Sequence, residues 1–342
     1  MHAVLLKGYG GFEQLEYRDD VPIPVPRAGE VLVKIGAAGV NNTDINTRTG
    51  WYAREAEPEG SGWTGADFVF PRIQGADACG RIVAVGPGVA ASRLDERVLI
   101  EPLFCVPGSD GAMRALYFGS ECDGAFADYA RVPAAHAWAV HTLLSDAELA
   151  SFPCAYSTAE NLLTKAHVRA GETVLVTGAS GGVGSAAVQL ARRRGAVVIA
   201  VAGASKHAAV AAVGAARVVA RGSDLKLDPG IESVDVVVDV VGGDQFGAAL
   251  DVLKRGGRYA VAGAIGGPTV MLDLRTLYLK DLRLLGCTVL EPGVFANLVG
   301  YIERGEIRPL VAAVHPLHAI VEAQREFLGK HHIGKIVLVP EG

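Results

Sequence analysis

The seven residues Gly178-Ala-Ser-Gly-Gly-Val-Gly184 follow a β-rich run and lead into a helix-forming one. Glycines at such a junction let the chain turn tightly and bring backbone N–H groups up to an anion. The helix that follows adds free N–H groups and the positive end of its dipole. The chemistry expected of Ala179, Ser180, Gly181, Gly182, Val183 and Gly184 is therefore the cradling of a pyrophosphate, against the plainer reading of an ordinary tight turn. Ala179 stands where a G-x-G-x-x-G string has its first glycine, so it is the context that carries the reading: a strand before, a helix after and a strand again at 197. An acidic residue about 20 positions further on would mark a ribose 2′-hydroxyl partner. None lies between Glu172 and Asp224. The second strand ends instead in Ala202-Gly-Ala-Ser-Lys206. Ser205 and Lys206 suit a 2′-phosphate through charge-assisted hydrogen bonds, and Arg221 after the third strand adds to the same pocket. The expected cofactor is NADPH; the competing reading of Lys206 is a solvated lysine of a first helical turn. Val241-Gly242 and Gly263-Ala264-Ile265 also follow strand ends and are expected to line the cofactor cleft.

Positioning such a cradle takes a parallel sheet, and the sequence supplies one after residue 145. Asp146 to His167 reads as helical, with Pro153 opening its second part. Strands are expected at 173–177, 197–201, 217–219, 234–239, 258–262 and 282–285, and helices at 182–194, 205–213 and 245–254. Alternating units with apolar, β-branched strands predict a doubly wound α/β sheet. Helices near 295–303 and 319–328 and a strand over 334–339 follow. The first 140 residues show short β runs such as Val31–Ile35 and Gly80–Val85, with little helical periodicity. Pro22, Pro24 and Pro26 mark an extended segment, and 56–65 reads as a surface loop.

The 342 residues fit two domains, and 50% apolar with 20% charged residues is the balance of a globular protein. Net charge is −5, and the single basic run, Arg192-Arg193-Arg194, is expected to be a solvated helix face, so no nucleic-acid partner is expected. Five cysteines without a CxxC suggest reduced thiols and no disulfide framework. The opening residues are broken too early by Gly8 and Gly10 for a signal peptide, and no apolar run spans a bilayer. A cytoplasmic protein with no membrane association is expected.

Ala38-Gly-Val-Asn-Asn-Thr-Asp44, Pro71-Arg-Ile-Gln-Gly-Ala-Asp77, Val85-Gly-Pro-Gly88, Phe126-Ala-Asp-Tyr129, Thr158-Ala159, the 178–184 loop and Gly334-Lys-Ile-Val-Leu338 together resemble the medium-chain dehydrogenase/reductase superfamily, nearest its zinc-free quinone oxidoreductase branch. The resemblance implies a GroES-like, β-rich catalytic domain over 1–140 plus 286–342 and a Rossmann nucleotide-binding domain over 141–285 inserted into it, with the active site in the cleft. It also implies a homodimer or homotetramer. Where zinc relatives carry a Cys, a His beside a Glu and a second Cys, this chain has Asn41, Gly75-Ala76-Asp77 and Cys154. One thiolate and a carboxylate fall short of a catalytic zinc site, so no metal is expected and Cys154 reads as a small buried residue. The substrate oxygen then needs other donors. The matching positions offer the Asn41 amide and the Thr43 or Tyr52 hydroxyl, with Asp44 at an acidic position that fits a loop-holding role. Thr158 is expected against the nicotinamide, and Lys330 and Lys335 are cofactor candidates weighed against solvated lysines. The longer 51–70 segment, with Trp51, Tyr52, Trp63 and Phe68, is either a substrate lid or a loop packed onto its own domain. The expected activity is NADPH-dependent hydride transfer to a quinone or α,β-unsaturated carbonyl. The alternatives are a zinc-free alcohol/ketone dehydrogenase and a nicotinamide-binding structural or sensor protein without turnover.

Overall fold

Apolar, β-branched runs become strands in both parts of the chain, but they are wired differently. A computed structural model describes residues 1–52, 68–107 and 113–341. One unit comprises Met1–Cys154 with Pro309–Gly342, the other Ala155–Arg308.

The first unit opens with strands β1 (Ala3–Leu6), β2 (Leu15–Arg18) and β3 (Glu30–Gly39), helix α1 (Asn42–Arg48), and strands β4 (Arg72–Ile73), β5 (Asp77–Val85) and β6 (Arg97–Ile100). The hairpin β7 (Leu103–Pro107) with β8 (Met113–Tyr117) comes next, then β9 (Tyr129–Pro133), β10 (Ala137–Ala139) and helix α2 (Asp146–Leu149). Helix α1 is absent from the sequence expectation. Its seven residues, NTDINTR, offer no apolar stripe beyond Ile45. It is held by its cap instead: Asn41 is the N-cap residue, and its backbone N–H donates to Asp44 Oδ2 at 2.7 Å.

Helix α3 (Pro153–Lys165) carries the chain across the boundary between the units. The second unit then alternates β11 (Thr173–Val176), α4 (Gly182–Arg193), β12 (Val197–Ala202), α5 (His207–Val213), β13 (Arg217–Ala220), β14 (Val234–Asp239), α6 (Phe246–Asp251), β15 (Leu253–Val261), α7 (Leu274–Leu279), β16 (Arg283–Gly286) and α8 (Val294–Glu303). The six strands pair in parallel in the order β13-β12-β11-β14-β15-β16. This is the doubly wound Rossmann order, with its switch point between β11 and β14. Leu175, Ile199, Val237, Leu250 and Leu253 fill the core beside it. The helix expected to reach residue 254 stops at Asp251, because Leu253 already pairs with Val234 as the first residue of β15.

Helix α8 belongs to this second unit, so its boundary lies beyond the expected residue 285. The cause is a polar seam inside the unit. The Arg193 guanidinium lies 3.4 Å over the Tyr301 ring and pairs with Glu306; Arg194 pairs with buried Glu160 at 2.6 Å. Two of the three residues read as a solvated basic face are thus tied to α3 and α8.

The chain returns to the first unit with β17 (Val311–Pro316), α9 (Ile320–Gly329) and β18 (Lys335–Val339). Strand β18 enters between β3 and β17 in a sheet ordered β10-β6-β5-β3-β18-β17, with β9 also on β3. Its partners are Ala38 and Gly39 of β3. The C-terminal segment is therefore structural in the first unit, where Ile336 and Leu338 join Val33, Ile82 and Phe126 in the core. No helix among the described residues is long and apolar enough to cross a membrane.

Candidate functional site

In the second unit the chain leaves β11, turns at Gly178 with φ +57°, and enters α4 at Gly182. A side chain at Gly184 would place its Cβ 2.2 Å from the Gly178 carbonyl oxygen, so the helix start and the turn are in direct backbone contact. Gly181, the N-cap, has an extended conformation any residue adopts, and a Cβ there meets only Gly178 O at 3.4 Å. The Ser185 N–H closes on the Gly181 carbonyl at 2.9 Å; the N–H groups before it have no acceptor within the helix. Tight backbone behind and open space in front, at a helix N-terminus, is geometry that suits an anion, and the 178–184 turn is the candidate cradle.

Lys206 and Arg221 follow the neighbouring strands β12 and β13, and the Arg221 N–H donates to the Ala202 carbonyl at 2.8 Å. Burial, and then the Arg221 charge, hold the Lys206 ammonium below its ordinary pKa. Ser205 is exposed beside them. Thr158 is partly buried on α3. The 240–243 and 263–267 turns pack backbone to backbone, with Gly266 N–H on Val241 O at 2.7 Å, and Ile265 is exposed.

A residue the sequence reading passed over braces this end of the sheet. Buried Asp239, at the end of β14, accepts from Thr177 Oγ1 at 2.5 Å, from the Tyr259 hydroxyl, and from the Val241 and Gly242 N–H groups at 2.8 and 3.1 Å. One carboxylate thereby links the ends of β11, β14 and β15 to the turn beside the cradle. The available signal was an acidic residue closing the apolar run Val234-Asp-Val-Val-Val-Asp239, where only a fully bonded carboxylate is tolerated.

The first unit carries a second polar centre, where β3, α1, β5, the start of α3 and β18 converge. Asp77 is fully buried. Its Oδ1 accepts from the Cys154 N–H at 2.5 Å, which places a carboxylate at the N-terminus of α3. Its Oδ2 takes Asn41 Nδ2 at 2.8 Å and the Lys335 ammonium at 2.6 Å. Lys335, only 3% exposed, also donates to Asn41 Oδ1 at 2.5 Å. The remaining Asn41 N–H reaches Gly39 O at 3.3 Å. Both N–H bonds of the Asn41 amide are therefore committed inside the protein, contrary to the expected donor role. The solvated reading of Lys335 fails as well. Lys330, which ends α9, donates to Asn42 Oδ1 at 3.0 Å and covers the Phe327 ring; both lysines belong to the first unit.

Beside this network Tyr52 accepts from Asn46 Nδ2 at 3.2 Å and is hydrogen-bonded to Thr43, and burial raises its phenol pKa. The Cys154 thiol meets the Tyr117 hydroxyl at 3.0 Å, and burial pushes it up to about 12. Thr43, Tyr52, Asp44 and Asn41 are thus brought together, as their assignment to one site requires. Trp63 lies outside the described residues; Phe68 is buried against Tyr9 and Phe70, so this end of the 51–70 segment packs onto its own unit.

Asp44 is held by the Asn41 and Gly75 N–H groups, yet burial raises its carboxyl to about 7. The folded state then binds the proton more tightly than the unfolded chain. Stability is highest below pH 4 on this account, falls as pH rises towards 7, and levels off above it. The span is on the order of 4 kcal/mol. Urea unfolding at pH 5 and pH 8 checks this: Asp44→Asn is expected to be less stable than wild type at pH 5, because an amide loses one acceptor, and to close that gap by pH 8. A gap of equal size at both values would remove Asp44 as the cause.

Comparison with known proteins follows the two-unit division. Residues 27–142 match the family described as alcohol dehydrogenase GroES-like domain, and residues 182–304 the family described as zinc-binding dehydrogenase. The chain is 32% identical over 349 residues to an acryloyl-coenzyme A reductase of Metallosphaera sedula, covering 99% of each chain. It is 28% identical to the human quinone oxidoreductase, covering 99% of this chain and 98% of that one. A solved structure from Sinorhizobium meliloti 1021, described as a "putative alcohol dehydrogenase", is 49% identical with a TM-score of 0.91, covering 100% of this chain and 97% of that one. The second family description implies a metal, and the donor set here does not fit one. Position 76 is Ala, Asn41 and Asp77 are bound to Lys335, and the Cys154 thiol to Tyr117. Among the described residues no group of three His, Cys, Asp or Glu is placed to hold an ion. With both units matched in order and a relative of 32% identity aligned along its full length, the chain belongs to the medium-chain dehydrogenase/reductase superfamily.

Proposed function

We propose that the protein is an NADPH-dependent reductase of quinones or α,β-unsaturated carbonyl compounds that works without zinc. The observation that carries this reading is the hydroxyl pair Tyr52 and Thr43, set beside a network whose would-be metal ligands are already bonded to one another. Hydroxyl donors match the delocalised charge that hydride addition leaves on a quinone or conjugated carbonyl. Tyr and Ser hydroxyls are among the donors that stabilise a developing oxyanion. Full-length similarity to an acryloyl-coenzyme A reductase and to quinone oxidoreductases supports the same class.

The bound nicotinamide supplies the hydride. In the second unit, Gly181, Gly182, Val183 and Gly184 cradle the pyrophosphate, Ser205, Lys206 and Arg221 bind the 2′-phosphate, and Thr158 with the 241–242 and 263–265 turns contacts the nicotinamide end. Ala179 and Ser180 form the turn before the helix. In the first unit, Tyr52 donates to the substrate oxygen, with Thr43 and Asn46 fixing its hydroxyl. Asn41 and Asp44 shape the start of α1 that carries Thr43. The exposed apolar side chains Met271, Leu274 and Tyr278, and Leu284 on the edge strand β16, support self-association as a dimer or tetramer, which sedimentation of the full chain would read directly.

The test is NADPH oxidation with a benzoquinone, an enone, an enoyl thioester and a ketone, with products identified by mass. A saturated carbonyl or quinol confirms the reading. An alcohol from the ketone favours a zinc-free alcohol/ketone dehydrogenase, which the 49%-identical neighbour supports. Tight NADPH binding with no turnover of any acceptor favours a binding protein. Tyr52→Phe is expected to lower kcat by about 100-fold, the cost of losing one such donor, with NADPH affinity unchanged. An unchanged kcat would remove Tyr52 from the reaction.

A further inference from the structure

We infer that Lys335 is a positioning residue: its buried ammonium is a built-in cation that ties together Asn41 and Asp77, which stand where the resemblance sets the zinc-site residues of relatives. Three observations carry this. The ammonium lies 2.6 Å from Asp77 Oδ2 and 2.5 Å from Asn41 Oδ1, at 3% exposure. Asp77 passes the tie on to the Cys154 N–H at the start of α3. Asn41 passes it on to α1, whose N-cap it is and whose first turn holds Thr43 and Asp44. A lone carboxylate in such dry surroundings is costly, and a cation with matched hydrogen bonds is what makes it tolerable. A divalent ion would meet that need with three or four protein ligands. Here a single lysine does so, delivered by β18 from the far end of the chain through its pairing with β3.

The consequence concerns geometry. Lys335 takes the Asn41 carbonyl oxygen, which turns the amide N–H groups towards Asp77 and Gly39 and leaves donation to substrate to hydroxyls carried on or next to α1. Lys335 thus acts through Asn41 and Asp77, without contact with substrate. This part rests on the reading of the first unit as the substrate side.

The experiment uses the full chain as wild type, Lys335→Arg and the neutral pair Lys335→Met with Asp77→Asn. The neutral pair removes both charges and so avoids a stranded carboxylate. Its thermal midpoint is expected to stay within a few degrees of wild type. Its kcat is expected to fall by about 100-fold, the cost of roughly 1 Å of misplacement, with NADPH affinity unchanged. Lys335→Arg, which keeps the charge, is expected to recover part of that loss. A neutral pair with wild-type kcat overturns the inference. So does a weakened NADPH affinity at unchanged kcat, which would make Lys335 a cofactor ligand. If the neutral pair does not fold, Lys335→Arg decides: the inference holds if kcat drops while NADPH affinity does not, and fails if neither changes. Cobalt(II) added to the chelator-treated wild type gives a readout free of turnover. No thiolate-to-cobalt absorption band is expected, and a band from Cys154 overturns the inference even if no acceptor is ever reduced.

Discussion

Gly181→Ala is expected to leave the fold intact and to weaken NADPH binding at least tenfold, whereas Gly184→Ala is expected to damage both. The contrast comes from what each added methyl meets. At Gly184 the Cβ would sit 2.2 Å from the Gly178 carbonyl oxygen and 2.8 Å from Ala179 Cα. These are backbone atoms of the turn itself and cannot swing aside, so about 1–3 kcal/mol of overpacking is expected. At Gly181 the φ of −81° suits any residue and the nearest atom is 3.4 Å away. The protein loses only the difference between Gly and Ala at an N-cap, below about 1 kcal/mol. On the proposed function, the space left open beside Gly181 is where a pyrophosphate approaches the backbone N–H groups. A methyl there meets no clash until the ligand arrives. Urea unfolding and a fluorescence titration with NADPH separate the two effects. A Gly181→Ala protein that binds NADPH normally would show that the pyrophosphate does not approach at this residue.

The same distinction between local and assembled features explains how much the sequence made readable. The parallel strands announce themselves through runs such as Val234-Asp-Val-Val-Val-Asp239, because a strand buried on both faces must be apolar at nearly every position. The cradle is equally local, a strand, a glycine turn and a helix within about 20 residues. Helix α1 was not readable, since Ile45 alone carries apolar pattern and the cap holds the rest. The polar centre of the first unit was legible only as residue types. Asn41, Asp77, Cys154 and Lys335 come from four separate stretches, and no spacing rule relates position 335 to position 41. Their meeting depends on β18 docking beside β3, a long-range pairing. The same holds for Asp239, whose partners Thr177 and Tyr259 lie 62 and 20 residues away. What a lysine or a buried carboxylate does depends on which strand ends the fold gathers around it.

The largest change in selectivity is expected from removing Lys206 and Arg221 together. NADPH and NADH differ only in the 2′-phosphate, so a pocket specific for it must act on NADPH alone. Hydrogen bonds to charged groups contribute about 1.5–3 kcal/mol each, and the exposure of Arg221 places its share at the lower end. The double Ala variant is therefore expected to bind NADPH about 100-fold more weakly. NADH affinity should change by less than about threefold, because NADH has no 2′-phosphate for the two cations to bind. Lys206 should carry the larger single effect. It is partly buried, and Arg221 disfavours its charge in the free protein, a repulsion that a dianionic phosphate relieves. That relief has its own signature: the NADPH advantage over NADH should shrink as ionic strength rises, since the Arg221 contact is open to solvent. Titrations with both nucleotides at low and high salt measure each quantity in the same cell. If wild type binds NADH as tightly as NADPH, the two cations serve the fold or another anion, and the reductase reading passes to NADH with the cradle unchanged. If NADPH is preferred but the double variant keeps that preference, the 2′-phosphate is read elsewhere on the second unit, and Ser205 is the next residue to replace.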